Sequence, residues 1–149
     1  GLGGRIWLGG RDVSADIRTP DVSQGASKVS AHPQVRAALL DTQRDLGREG
    51  GVVLEGRDIG TVVFPDAEVK VFLDAPVQER ARRRHAELSE RGTPEPFEQT
   101  LAELSERDRR DRNREVAPLV AAEDATVVDT GGLSVDQVVD RIVRLVEGA

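Results

Sequence analysis

The 149-residue sequence has no cysteine, no methionine and no tyrosine. Without cysteine there is no disulfide framework, no thiolate metal site and no cysteine nucleophile. Two histidines, His32 and His85, are too few for a multi-histidine zinc centre. Only four aromatic residues occur, Trp7, Phe64, Phe72 and Phe97, so stacking platforms for single-stranded nucleic acid are lacking. The net charge of −6 points away from a nucleic-acid coat as well. No apolar run approaches membrane-spanning length and no signal-peptide pattern opens the chain, so a cytoplasmic protein is expected. The missing methionine, together with Gly1 at the first position, reads as the C-terminal part of a longer protein.

What is present is arginine. Nineteen of the 21 basic residues are Arg, which supplies many forked donors for phosphate oxygens. The length suits one domain with a core of its own.

Alternating elements set the fold class. Arg5 to Leu8 and Arg11 to Val13 flank Gly9-Gly10, a short β-hairpin signal. A weakly helical stretch runs from Pro20 to Ala31. Pro33 opens a helix to about Leu46, with Val35, Ala38, Leu39 and Leu46 near one face. The apolar runs Val52 to Leu54, Val69 to Leu73 and Thr126 to Val128 read as buried parallel strands. Helical regions at 77–91 and 94–115 lie between the last two. Ser134 with Gln137 forms a capping box for a final helix whose stripe is Val135, Val138, Val139, Ile142 and Leu145. The pattern predicts an α/β layer fold with a parallel sheet.

Three constellations are candidates for chemistry. Glu55-Gly56-Arg57-Asp58 follows the apolar run Val52 to Leu54, at the carboxyl end of a predicted strand, where open parallel sheets bind ligands; a plain loop salt bridge of Arg57 is the competing reading. In the run from Arg107 to Arg114, the apolar stripe Phe97, Leu101, Leu104 continues at helical spacing into Arg107, Asp111 and Arg114. Charges then take positions that face the protein body, which is costly unless they are paired or liganded. A cleft is therefore favoured over a solvated face laced with i,i+4 pairs. Arg80, Arg83 and Arg84 share a face of the helix before the Gly/Pro turn at 91–96, and fit either bidentate phosphate binding beneath a mobile lid or a basic solvent face. Ser27 and Arg36 lie beside the Pro33 helix. No residue is nominated as a metal ligand, and neither histidine has a neighbour that suggests a nucleophile or metal role. No G-x-x-x-x-G-K-S/T phosphate loop occurs in these residues; GRDIG at 56–60 lacks its Lys and its hydroxyl residue.

The runs GVVLEGRDIGTVVFPDAEVKVFLDA, ERARRR and ERDRRDRNREVAPL, with DVSADIRTPDVSQGASKVSAHPQVRAALLDTQR before them, resemble bacterial cytidylate kinase over essentially the whole chain. The resemblance implies a three-layer, P-loop-type nucleoside monophosphate kinase fold, truncated at its N-terminus. It implies residues 1–32 within the CMP-binding lobe, 33–75 and 116–149 in the core, and 76–115 as lid and flanking helices. It implies phosphoryl transfer from ATP, with Mg²⁺, to CMP or dCMP, by a monomer that uses neither nucleic acid nor a membrane. Ser27, Arg36 and Asp58 match residues that read cytosine: the Asp58 carboxylate suits the exocyclic amino donor, and Arg36 suits the O2/N3 acceptor edge. Arg57 and Arg114 match residues that hold the CMP phosphate. Arg107 and Asp111 match those near the sugar and the transferring phosphoryl group, and Arg80, Arg83 and Arg84 match lid arginines. The catalytic set is thus expected to be Arg57, Arg107 and Arg114, with no general base. Lacking the phosphate loop and its strand, the 149 residues alone are expected to be inactive and marginally stable. A non-catalytic nucleotide-binding module of the same fold is the alternative, and UMP or AMP specificity is a neighbouring possibility.

Overall fold

The computed structural model describes residues 4–149. Gly9 and Gly10, both at positive φ, turn β1 (Trp7–Leu8) back onto β2 (Arg11–Asp12) in a two-residue-loop hairpin. A 3-10 turn at Asp16–Arg18 leads into α1 (Pro20–Val29), whose first turn is capped by the Thr19 hydroxyl accepting from Val22 N. Pro33 starts α2 (Pro33–Leu46), as its spacing predicts, and Gly47 ends it. A Cβ at Gly47 would lie 2.6 Å from the Phe64 ring, so only glycine lets that ring close over the helix end.

A single π turn, Ile59–Val63, follows Asp58. The Arg44 side chain of α2 donates to the carbonyls of Val62 and Val63, which ties α2 to that turn. Next come β3 (Val71–Asp74), α3 (Val77–Glu90), α4 (Phe97–Asn113), β4 (Thr126–Asp129) and α5 (Val135–Glu147). β3 and β4 pair in parallel, Val71 opposite Thr126 through Asp74 opposite Asp129. The capping box at Ser134 and Gln137 forms as its spacing predicts.

α3 and α4 pack against each other, and Ala81 and Leu88 of α3 and Thr100 of α4 are buried. His85 meets Phe97 edge to face, ring centroids 6.0 Å apart. Val63, Ala75 and Val128 complete the buried apolar set. The result is an α/β fold built on a small parallel sheet flanked by helices.

The strand expected at Val52 to Leu54 does not form. No other segment among the described residues pairs with it, and Val53 is 93% exposed. An apolar run becomes a strand only when a neighbour takes its backbone hydrogen bonds, and here none does. The other two predicted strands begin within two residues of their expected starts.

Candidate phosphate-binding site

The first half of the site is the loop after Leu54. Gly56 allows it to fold tightly, since a Cβ there would lie 2.7 Å from Ile59 Cγ1. This turn sends Asp58 inward to a buried position and leaves Arg57 partly open. The second half is the final stretch of α4. Its apolar stripe runs into charge as the spacing predicts: the Asp111 side chain is 4% exposed and that of Arg114, just past the helix end, 6%.

Two carboxylates organise the cluster. Asp111 accepts from Arg57 Nε at 3.1 Å and lies 3.7 Å from Arg107 Nε. Asp58 accepts from Arg36 of α2 and lies 3.6 Å from Arg114 Nη2. Arg36 also donates to the Ser30 carbonyl at the end of α1, and Arg114 Nε donates to the Ala117 carbonyl. Ala117 has φ +53, the single non-glycine residue at positive φ among those described. That left-handed bend costs about 1–2 kcal/mol and turns its carbonyl back onto Arg114.

Four guanidiniums thus surround two carboxylates, an excess of two positive charges. Two of their nitrogens, Arg107 Nε and Arg114 Nη2, are buried without a hydrogen-bond partner. Burial lowers the pKa of both arginines from its ordinary value. The next cause is the cation beside each: Arg57 for Arg107, Arg36 for Arg114. Buried polar groups are normally satisfied. A cluster with surplus positive charge and unsatisfied donors has the chemistry to take up an anion with several acceptor oxygens, and phosphate has three.

Of the residues expected to act, Arg36, Arg57, Asp58, Arg107, Asp111 and Arg114 come together in this cluster. Ser27 stands at its border: its carbonyl accepts from the Ser30 hydroxyl, next to the carbonyl that Arg36 contacts. Arg80, Arg83 and Arg84 do not join it. Arg80 makes a fork–fork pair with Asp108 at 3.0 and 2.6 Å. Arg83 donates to the hydroxyl and carbonyl of Thr130, at the end of β4, and Arg84 to Glu87. These three face protein acceptors. The sequence reading passed over Asp108, the partner of Arg80, and Arg110, which donates to Ser27 Oγ at 2.8 Å and Gln24 Oε1 at 3.3 Å.

A cleft of about 410 Å³ adjoins the cluster between Ala31, Pro33, Arg110 and Arg114. A second, about 770 Å³, opens where β3 and β4 end at Asp74 and Asp129, walled by Arg80 and Asp108.

The cytidylate kinase family model matches residues 3–148. The chain belongs to the cytidylate kinase family. It is 52% identical to a cytidylate kinase of Aeromonas salmonicida over 143 residues, 96% of this chain and 62% of the relative. It is 52% identical to that of an Exiguobacterium species over 145 residues, 97% of this chain and 65% of the relative. The cytidylate kinase of Salmonella arizonae is 54% identical over 139 residues, 93% of this chain and 61% of the relative. The chain therefore spans a little over six tenths of the length of the curated cytidylate kinases it matches.

Among the described residues no three His, Asp or Glu side chains gather as a metal site. The carboxylates of the cluster, Asp58 and Asp111, are each engaged by arginine. Resident magnesium does not fit these residues. No helix is long and apolar enough to cross a membrane.

Proposed function

We propose that the chain carries the acceptor side of a kinase that moves the γ-phosphoryl group of ATP to CMP or dCMP, giving CDP or dCDP. The observation that supports this is the charge of the buried cluster. Its excess of two positive charges matches a nucleoside monophosphate, whose phosphate carries about −1.5 to −2 at pH 7. Arg57 and Arg114 hold that phosphate. Arg107 and Asp111 lie toward the sugar and the group in transfer. Asp58 takes the exocyclic amino group of cytosine, Arg36 donates to its acceptor edge, and Ser27 completes the base site. In this reading residues 1–32 belong to the CMP lobe, 33–75 and 116–149 to the core of a three-layer P-loop-type fold, and 76–115 to the lid.

Phosphoryl transfer asks little covalent chemistry of a protein. The arginines align acceptor and donor and spread the charge of a loose transition state. No general base is assigned. Magnesium would be supplied as the counter-ion of the ATP phosphates, where it would neutralise developing charge. Arg80, Arg83 and Arg84 reach phosphate only by exchanging Asp108, Thr130 and Glu87 for it. The cleft at the ends of β3 and β4 is where an open parallel sheet receives a ligand. The work is that of a cytoplasmic monomer with small-molecule partners only.

One observation favours a second reading. The 149 residues contain no G-x-x-x-x-G-K-S/T loop to cradle ATP phosphates. By themselves they are expected to bind CMP without turnover, as a nucleotide-binding module. Thermal unfolding with CMP, UMP and ATP separates the readings. CMP raising the melting temperature well above UMP supports the cytosine site, because uracil lacks the amino donor for Asp58. Equal shifts with CMP and UMP, or none, refute it. CDP formed from ATP and CMP by the chain in the length its gene encodes decides for the kinase.

A further inference from the structure

Arg110 is a cation of α4 that the phosphate cluster does not use and that no carboxylate in the described hydrogen bonds engages. It is half-buried, and its two hydrogen-bond partners are neutral, Ser27 Oγ at 2.8 Å and Gln24 Oε1 at 3.3 Å, both on α1. A guanidinium has only donors, so the Ser27 oxygen must accept. The serine hydroxyl rotates freely unless something fixes it, and here one lone pair is committed to Arg110. Its proton is turned away from that cation. Among the described residues no oxygen takes that proton, although Ser27 is only 5% exposed. A buried hydroxyl with one lone pair held by a cation and its proton unspent points that proton away from the cation and is available as a donor.

We infer that Arg110 is a specificity-positioning residue: it orients the Ser27 hydroxyl to donate to a ring acceptor of the bound pyrimidine, N3 in cytosine, which leaves O2 of the same edge to Arg36. The inference rests on the CMP reading above and adds to it a reason for rejecting uracil. Uracil carries a hydrogen on N3, so a donor fixed there meets another donor, and a site with its donor left unpaired rejects the analogue. Arg110 acts through Ser27 without touching the nucleotide. It also holds α1 to α4, so the base-reading lobe and the phosphate cluster keep one spacing.

The test is a double-variant cycle read by calorimetry, on the chain in the length its gene encodes, with CMP and UMP as ligands. The variants are Arg110→Ala, Ser27→Ala, both together, and Arg110→Gln, which keeps a donor toward Ser27 without the charge. Expected is a loss of about tenfold in CMP affinity for either single alanine variant, the size of one hydrogen bond. The double variant loses no more than the worse single, and UMP affinity barely changes. Arg110→Gln restores most of the CMP-to-UMP ratio. Equal weakening of CMP and UMP by Arg110→Ala means a role in charge or folding alone and overturns the inference, as do losses that multiply in the double variant. If the parent chain binds no CMP, the site reading falls and this inference with it. If the parent binds CMP but the cycle is additive, only the assignment of Arg110 falls.

Discussion

Asp111 gives the sharpest prediction. Its carboxylate is 4% exposed, with Arg57 at 3.1 Å and Arg107 at 3.7 Å. Asp111→Asn keeps the shape and one acceptor oxygen but removes the charge, so the excess in the cluster rises from two positive charges to three. Breaking a fully buried pair costs about 3–5 kcal/mol. Here Arg57 is 43% exposed and Arg107 30%, so water recovers part of that, and about 2 kcal/mol is expected. For a domain of this size that is a fall of about 4–8 °C in melting temperature. The same change strengthens the field that draws in an anion. Inorganic phosphate should therefore stabilise the variant more than the parent, and the gap should narrow as phosphate replaces sodium chloride at constant ionic strength. Differential scanning calorimetry across such a series measures both effects. A variant that melts with the parent, or a gap that phosphate does not narrow, refutes the account of Asp111 as the counter-charge that holds the cluster together.

Three further outcomes follow from the same geometry. Leu88→Ala, at one of the two largest fully buried side chains, opens a cavity beside α3 and lowers stability by about 2–5 kcal/mol in urea unfolding; a loss under about 1 kcal/mol would mean the helices pack without it. Gly56→Ala drives a Cβ against Ile59 and costs about 1–3 kcal/mol while weakening phosphate binding through Arg57 and Asp58; an unchanged urea midpoint and affinity refute the close fit. Asp124, whose hydrogen bond from Lys70 holds its carboxyl below the ordinary value, contributes stability that is present above the unfolded carboxylate range and lost as pH falls through the folded value. Asp124→Asn should thus lower the urea midpoint at about pH 6, and the difference should shrink as the pH is lowered below the ordinary carboxylate range; a difference that does not shrink in acid would contradict the pairing.

Local signals in the sequence were good guides to helices. Pro33, Gly47 and the Ser134–Gln137 box each set a boundary with atoms a few residues apart. The seam of Arg107, Asp111 and Arg114 was legible for the same reason, because helical spacing alone places those residues together. Val52 to Leu54 misled because a strand depends on a neighbour far away in the chain. The Arg80–Asp108 fork and the Arg110–Ser27 bond joined residues 28 and 83 positions apart, and nothing local announced either. One signal for Arg110 was available: it stands three residues after Arg107 and four before Arg114, next to the seam already recognised.

α4 serves three readers at once. Residues 107 and 111, with 114 beyond the helix end, serve the phosphate cluster, 108 serves Arg80 of α3, and 110 serves Ser27 of α1. Each residue of an α-helix advances the azimuth by about 100°, so these three duties occupy three sectors with no slack between them. One residue inserted between Leu101 and Arg107 would turn all three away from their partners together, while leaving composition, charge and helix propensity untouched. Point changes on α4 therefore have graded effects, and changes in length have none that are small. Surface loops elsewhere tolerate insertions; this helix keeps a fixed phase, and its length is as much a part of the site as its arginines.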